Sequence, residues 1–255
     1  MIIKKNIKLF VFILLAVAKP GFAISLVDII EVTKKSVVAV GTYMPKRSPK
    51  GVFLGTGFAI GRGQLVVTNA HVLPKNTDSK SIETVAVFYR QDKRVRMINT
   101  KTVAIDKEHD IAILKLISAS LPALKISHSI VKEGQLIAFT GYPIGMVLGL
   151  NPVTHTGIIS SISPVVLPVL NARQLNAKVL KRLRDPYNIY QLDATAYPGN
   201  SGSPVYSTET GQVIGIVNKV FVKETKETIL SKPSGITYAI PIRYLNDLLK
   251  HNNLK

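Results

Sequence analysis

Short apolar runs separated by turn residues dominate the chain from about residue 37 to residue 242. Runs of this length with β-branched residues, bounded by glycine, proline or asparagine, are typical of antiparallel strands. They fall into two groups, at about 37–124 and about 134–242. The pattern therefore predicts an all-β chain whose strands form two successive units.

Helical periodicity occurs at the two ends of this β region. Ser25 to Asp28 has the form of a capping box, with apolar residues behind it on one helical face, and this predicts a short N-terminal helix. The other end carries an apolar stripe that predicts a C-terminal helix at about 242–251, packed on the second unit. The stripe consists of Ile242, Leu245, Leu248 and Leu249.

The first 23 residues have the layout of a secretory signal peptide. Three lysines precede an unbroken run of ten apolar residues, Leu9 to Ala18, and Gly21 and Ala23 supply small residues for a cleavage site. A helix needs roughly 20 apolar residues to cross a bilayer, so the run is too short to span one. We expect a mature domain at 24–255 that is periplasmic or secreted. A leader kept as a membrane anchor is the alternative.

A basic segment lies between two predicted strands of the second unit. Leu175, Val179 and Leu183 are spaced four apart and predict one apolar face of a helix within about 171–185. The opposite face carries five cations: Arg173, Lys178, Lys181, Arg182 and Arg184. Two interpretations remain open, a solvated surface helix and a lid or docking element near the substrate cleft. Contact of the basic face with anionic surfaces is a further expectation.

Composition narrows the chemistry. The chain has no cysteine, which excludes disulfides, a thiolate nucleophile and a cysteine-ligated metal. No metal motif is present, and we expect no metal and no cofactor. The net charge is +18, and about +14 remains without the four lysines of the leader. This charge favours anionic surfaces, but no nucleic-acid motif accompanies it, so no specific nucleic-acid partner is expected.

Three local motifs carry candidate chemistry. His71 stands at a strand end in Val67–Val72, Asp110 opens the apolar strand Asp110–Lys115, and Ser201 stands at the apex of the turn Gly199–Pro204. Histidine, aspartate and serine in this chain order are the parts of a nucleophilic triad.

Each group has a defined task in such a triad. A serine hydroxyl needs a base to take its proton, and imidazole titrates near neutrality. Asp110 would fix the tautomer of His71, and the N–H groups of Gly199 and Ser201 would bind the oxyanion. Asp106 is interpreted as a turn or surface carboxylate rather than the triad member, because Asp110 directly opens the apolar strand. The other histidines are interpreted as loop or surface residues: His109, His128, His155 and His251.

Several motifs resemble those of trypsin-like serine proteases, most of all the HtrA/Deg branch. They are Leu54–Ile60, Thr140–Gly145, Thr156–Ser160, Gln191–Ala194, Val213–Ile216 and Gly235–Pro241. The resemblance covers roughly residues 25 to 250. It implies a chymotrypsin-like pair of antiparallel six-stranded β-barrels, with His71, Asp110 and Ser201 as the triad and Gly199 and Ser201 as the oxyanion hole.

The chain also departs from its relatives. Digestive trypsins carry an aspartate before the serine, and this aspartate pairs with a newly cut N-terminal amine when the enzyme is activated. Asn200 stands at this position here, so activation cannot operate in the same way. Ser203 resembles the V8-like secreted bacterial proteases, but Gly215 to Lys219 lacks the histidine with which those enzymes hold a glutamate side chain. HtrA proteins continue into PDZ domains, and no PDZ domain is expected here.

The resemblance also locates the substrate pocket. Its walls are expected to comprise Thr195, Ala196, Tyr197, Pro198, Asn218, Lys219 and Val220, with Gly235 to Tyr238. The absence of an acidic residue argues against selection of lysine or arginine and favours small or medium aliphatic side chains. Attraction of acidic side chains by Lys219 is the alternative.

The predicted function is exported serine endopeptidase activity on proteins or peptides, through an acyl-enzyme. A noncatalytic pseudo-protease acting as a chaperone-like binding module is the alternative. An esterase on an α/β-hydrolase fold is disfavoured, because that fold orders its triad as serine, acid, histidine. The oligomeric state stays open.

Overall fold

The structure is a computed structural model that describes residues 24–74, 83–92, 94–143, 149–165, 186–218 and 236–254. The predicted leader at 1–23 and the basic segment at 171–185 lie outside the described residues. So do Lys219, Val220 and Gly235 of the predicted pocket. In the described part of the chain, no helix is long and apolar enough to cross a membrane.

The chain enters the fold through helix α1, Leu26–Ser36. Ser25 is its N-cap, and the Ser25 hydroxyl accepts a hydrogen bond from the backbone N–H of Asp28 at 3.2 Å. Such a cap satisfies one of the free amides of the first turn. Ile29 is 5 % exposed and packs with Ala138 and Tyr206 of the second barrel. The predicted N-terminal helix is confirmed.

The first barrel closes in the strand order β1-β2-β3-β6-β5-β4. Its strands are β1 Val37–Tyr43, β2 Gly51–Ile60, β3 Leu65–Thr68, β4 Thr84–Gln91, β5 Arg94–Asp106 and β6 Ile111–Leu116. Because successive side chains point to opposite faces of a strand, β1 contributes to two apolar clusters. Val38 and Val40 pack in one with Val66 and Leu114, whereas Val37 and Ala39 pack in the other.

The second barrel closes in the order β10-β11-β12-β9-β8-β7. Its strands are β7 Leu136–Gly141, β8 Val153–Pro164, β9 Asn188–Asp193, β10 Pro204–Ser207, β11 Val213–Asn218 and β12 Ile236–Pro241. Ile137, Phe139 and Leu192 are among the buried residues of its core. Helix α2, Ile242–His251, follows and buries Leu245 completely.

One apolar cluster joins the two barrels. It contains Val37 and Phe58 from the first barrel, Ile216 and Ile240 from the second, and Leu245 from α2. Burial of this shared surface holds the barrels side by side. The predicted pair of antiparallel six-stranded barrels with two flanking helices is confirmed.

Candidate active site

His71 lies in a single 3-10 turn, Ala70–Val72, immediately after β3. The carbonyl of Asp110 holds this turn, because it accepts from the backbone N–H of Ala70 and from Nδ2 of Asn69, both at 3.1 Å. β3 pairs with β6, which starts directly after Asp110. Sheet pairing within the first barrel therefore brings the histidine turn and the aspartate together.

Asp110 orients the imidazole of His71 through both carboxylate oxygens. Its Oδ1 accepts from the backbone N–H of His71 at 2.9 Å, and its Oδ2 lies 2.6 Å from Nδ1 of the ring. A carboxylate at Nδ1 requires the proton on that nitrogen, so Nε2 is left as the acceptor that a general base needs. Asp110 has a φ of 56°, a left-handed conformation that aspartate tolerates better than most residues.

Asn218 supplies a contact to this pair that the sequence did not predict. Its Nδ2 donates to Oδ2 of Asp110 at 3.0 Å. The bond crosses the interface between the two barrels, here called the seam, because Asn218 ends β11 of the second barrel and Asp110 belongs to the first. Asn218 is only 1 % exposed. The side chain was assigned to the substrate pocket, and the structure shows that its amide contacts Asp110. The sequence did hold one indication of such a role, because the polar Asn218 directly follows the apolar run Val213–Val217.

The serine loop bends where two glycines take left-handed backbone angles, a φ of 99° at Gly199 and 87° at Gly202. Glycine adopts such angles without steric cost. A Cβ on Gly202 would lie 2.0 Å from the carbonyl oxygen of Thr56, because the backbone of the loop is in direct contact with the backbone of β2. Only glycine fits this position.

The amides of this loop divide into two sets. The N–H of Asn200 donates to Tyr197, that of Gly202 to Val217, and that of Ser203 to Asn200, all at 3.0 Å. The N–H groups of Gly199 and Ser201 make no hydrogen bond within the described ranges of the chain. These are the two predicted oxyanion donors. A transient oxyanion needs N–H donors that are close together in the chain and free of other hydrogen bonds.

Several contacts tie the serine loop to the His71–Asp110 pair. Val217, which accepts from Gly202, precedes Asn218, which bonds Asp110. The side chain of Val72 and the carbonyl oxygen of Ser201 both lie within 3.0 Å of the point where a Cβ on Gly55 would stand. The missing side chain at Gly55 thus lets the histidine turn and the serine loop approach the same stretch of β2.

Ser201 itself is 6 % exposed, and its Oγ makes no hydrogen bond to the described residues, His71 included. Catalytic hydrogen bonds of unliganded enzymes are often long and tighten only around substrate. The final approach of the hydroxyl to Nε2 of His71 therefore stays a prediction.

Asp106 and His109 form a second histidine–aspartate pair, so His109, which was interpreted as a loop or surface residue, is a half-buried turn residue with a partner. Nδ1 of His109 is 2.6 Å from Oδ2 of Asp106, and the ring stacks on Tyr244 with a centroid separation of 4.0 Å. Burial acts to raise the pKa of Asp106, but hydrogen bonds from His109 hold that pKa below its ordinary value. The pair packs on α2, so it is a structural contact rather than a second base.

His155 was also interpreted as a loop or surface residue, and it lies instead within β8. Its ring stacks on the buried Phe139, with centroids 4.9 Å apart, and lies 5.9 Å from the ring of Tyr197. Burial lowers the pKa of His155, because the apolar surroundings disfavour the imidazolium. This histidine is a half-buried strand residue whose ring lies beside Tyr197 of the predicted pocket.

The four residues predicted to form one wall of the pocket directly precede the serine loop. Thr195, Ala196, Tyr197 and Pro198 are all half-buried. The hydroxyl of Thr237 on β12 accepts from the N–H of Ala196 at 2.9 Å and donates to the carbonyl of Ala194, so it fixes the base of this wall. Among the described residues, no group of histidine and carboxylate side chains could hold a metal ion.

Comparison with known proteins agrees with this geometry. A family model described as "Trypsin-like peptidase domain" matches residues 55–216, which contain His71, Asp110 and Ser201. The chain belongs to the trypsin-like peptidase family. Within this family it is similar to a probable periplasmic DegP-like serine endoprotease of Halomonas elongata, at 30 % identity over 197 residues. The aligned part is 76 % of this chain and 34 % of that protein.

Other similarities point the same way. Serine protease HTRA3 of Homo sapiens is 31 % identical over 195 residues, which are 73 % of this peptidase chain and 35 % of HTRA3. The chain thus spans about a third of the length of these curated relatives. Two solved structures share the fold. A Mycobacterium tuberculosis protease in its active form gives a TM-score of 0.63 at 22 % identity, covering 89 % of this chain and 85 % of that one. The HtrA-type protease AlgW with a tripeptide gives 0.62 at 23 % identity, covering 89 % and 62 %.

Proposed function

We propose that this member of the trypsin-like peptidase family is an exported serine endopeptidase. The observation that carries the proposal is a hydrogen-bond network across the interface between the two barrels. Asn218 donates to Asp110, and Asp110 accepts from His71. The β11 strand that carries Asn218 also bonds the serine loop, in which two backbone N–H groups make no hydrogen bond in the described chain. Family membership and the serine endoproteases among the relatives support it.

The proposed reaction uses each group in turn. Ser201 Oγ attacks the scissile carbonyl while Nε2 of His71 takes its proton, and Asp110 stabilises the imidazolium that forms. The oxyanion binds the N–H groups of Gly199 and Ser201. Collapse of the tetrahedral intermediate expels the amine, which receives the proton from His71, and leaves Ser201 acylated. Water, deprotonated by His71, then releases the acid and restores the hydroxyl.

Hydrolysis of casein by the purified chain tests this proposal, with Ser201→Ala as the matched control. The triad predicts release of new peptide amines by the wild-type chain, and a fall of at least about 10³-fold in the variant. Equal rates in the two proteins would refute Ser201 as the nucleophile. The noncatalytic alternative predicts instead that wild type and variant bind unfolded casein equally and that neither cleaves it.

The finer assignments belong to this same proposal. We infer preference for small or medium aliphatic side chains before the scissile bond, because the wall at 195–198 carries no acidic group. The periplasmic relatives and the layout of residues 1–23 support export. The cations within 171–185 are assigned to contact with anionic surfaces. Deletion of 171–185 should weaken binding to anionic vesicles, and unchanged binding would remove that assignment.

A further inference from the structure

Thr56 of β2 makes an unusual set of contacts with the serine loop. Its Oγ1 donates to the carbonyl of Gly199 at 2.7 Å, and its backbone N–H donates to the carbonyl of Ser201 at 2.8 Å. Gly199 and Ser201 are the two residues whose own N–H groups are unused in the described chain. One residue of the first barrel therefore anchors both carbonyls of the proposed oxyanion hole in the second.

The hydroxyl of Thr56 has one orientation open to it. Oγ1 accepts from the backbone N–H of Tyr142 at 3.0 Å, which commits its proton to Gly199. Thr56 is fully buried, and β-branching restricts its χ1. On the other side of the strand, the Thr56 carbonyl accepts from Oγ1 of Thr68 at 2.7 Å. Thr56 is thus itself held by β3 and by the residue that directly follows β7.

Anchoring a carbonyl restricts the N–H of the same residue. The two groups belong to adjacent peptide planes that meet at one Cα, so with the plane of the carbonyl anchored the N–H can reorient only through the φ and ψ of that residue. Gly199 needs this restriction most, because glycine alone would populate many backbone conformations. Stabilisation of an oxyanion depends on donors already aimed at the developing charge, so a freely moving Gly199 amide would weaken it.

We propose that Thr56 is a positioning residue that holds the oxyanion amides of Gly199 and Ser201 in their productive orientation. The inference rests on the proposed peptidase function. It predicts that the Thr56 hydroxyl affects the transition state more than the binding of substrate, since the ground-state carbonyl makes weaker use of the two amides.

Two variants and a matched control test the proposal in the full chain. Thr56→Val removes the hydroxyl at nearly constant shape, and Thr56→Ser keeps it. Thr42→Val removes another buried threonine hydroxyl, one that accepts from Arg47 on the far part of the first barrel. The measurements are kcat and KM on a peptide ester or amide, and the inhibition constant of a peptide boronate, which forms a tetrahedral adduct with the serine.

Thr56→Val should lower kcat by about 10–100-fold with KM within about twofold, and should weaken boronate binding by a similar factor. Thr56→Ser should restore both, and Thr42→Val should leave both unchanged. A folded Thr56→Val with wild-type kcat, or an equal fall in Thr42→Val, overturns the proposal. If Thr56→Val does not unfold cooperatively, Thr56→Ala replaces it. Failure of both to fold would also overturn the proposal, since the hydroxyl would then serve the fold. A wild-type chain that hydrolyses nothing would instead refute the peptidase function.

Discussion

Replacing Asn218 by alanine should slow the reaction while leaving the barrels intact. The change removes the hydrogen bond of 3.0 Å from Nδ2 of Asn218 to Oδ2 of Asp110, the same oxygen that lies 2.6 Å from Nδ1 of His71. A hydrogen bond to a charged group is worth about 1.5–3 kcal/mol. The Asp110 side chain is 19 % exposed, so water replaces part of the lost bond and favours the lower end.

The expected effect on rate follows from that magnitude. If about 1.4 kcal/mol of the loss appears in the transition state, where the imidazolium needs its carboxylate held in place, kcat/KM falls about tenfold. A fluorogenic peptide assay measures this, and Asn246→Ala on α2 is the control for loss of a half-buried amide. Wild-type kcat/KM in a folded Asn218→Ala protein would refute the argument that the second barrel steadies the aspartate.

Three further outcomes follow from the structure. Asp106→Asn should lower the free energy of unfolding by about 1 kcal/mol at pH 7 and leave kcat unchanged. The pKa of Asp106 is lowered in the folded chain, so its carboxylate stabilises the fold at pH values above its ordinary pKa. A large fall in kcat would show that the wrong histidine–aspartate pair was chosen. Because the pKa of His155 is lowered in the folded chain, unfolding takes up a proton and stability should decline as pH falls below about 6.5. His155→Gln should lessen that decline in thermal unfolding at pH 7.5 and 5, and an unchanged decline would refute this reasoning. A peptide library read by mass spectrometry should show cleavage after aliphatic side chains, and dominant cleavage after arginine would contradict the proposed pocket.

Much of this molecule is predictable because its signals are local. The apolar runs give the strands, Ser25 and Asp28 give the first helix cap, and the stripe from Ile242 to Leu249 gives the last helix. The segments around His71, Asp110 and Ser201 could be recognised because each combines one reactive side chain with the end or start of a strand.

The supporting contacts could not be predicted, because they form only when the two barrels meet. Thr56 and Asn218 each lie in one barrel and bond residues of the other across the seam. Both are buried polar residues within apolar strands, which marks them as unusual but names no partner. His109 and Asp106 were missed for another reason. Their pairing depends on a turn of the chain and on the ring of Tyr244 from α2.

The most direct test of the account is the site of reaction with a fluorophosphonate probe, mapped by peptide mass spectrometry on the wild-type chain. If Ser201 is activated by His71 and Asp110, the probe labels Ser201 alone, and His71→Ala abolishes labelling in a chain that remains folded. A wild-type chain that stays unlabelled, or labelling of Ser201 that persists at the same rate in His71→Ala, would contradict the proposed triad.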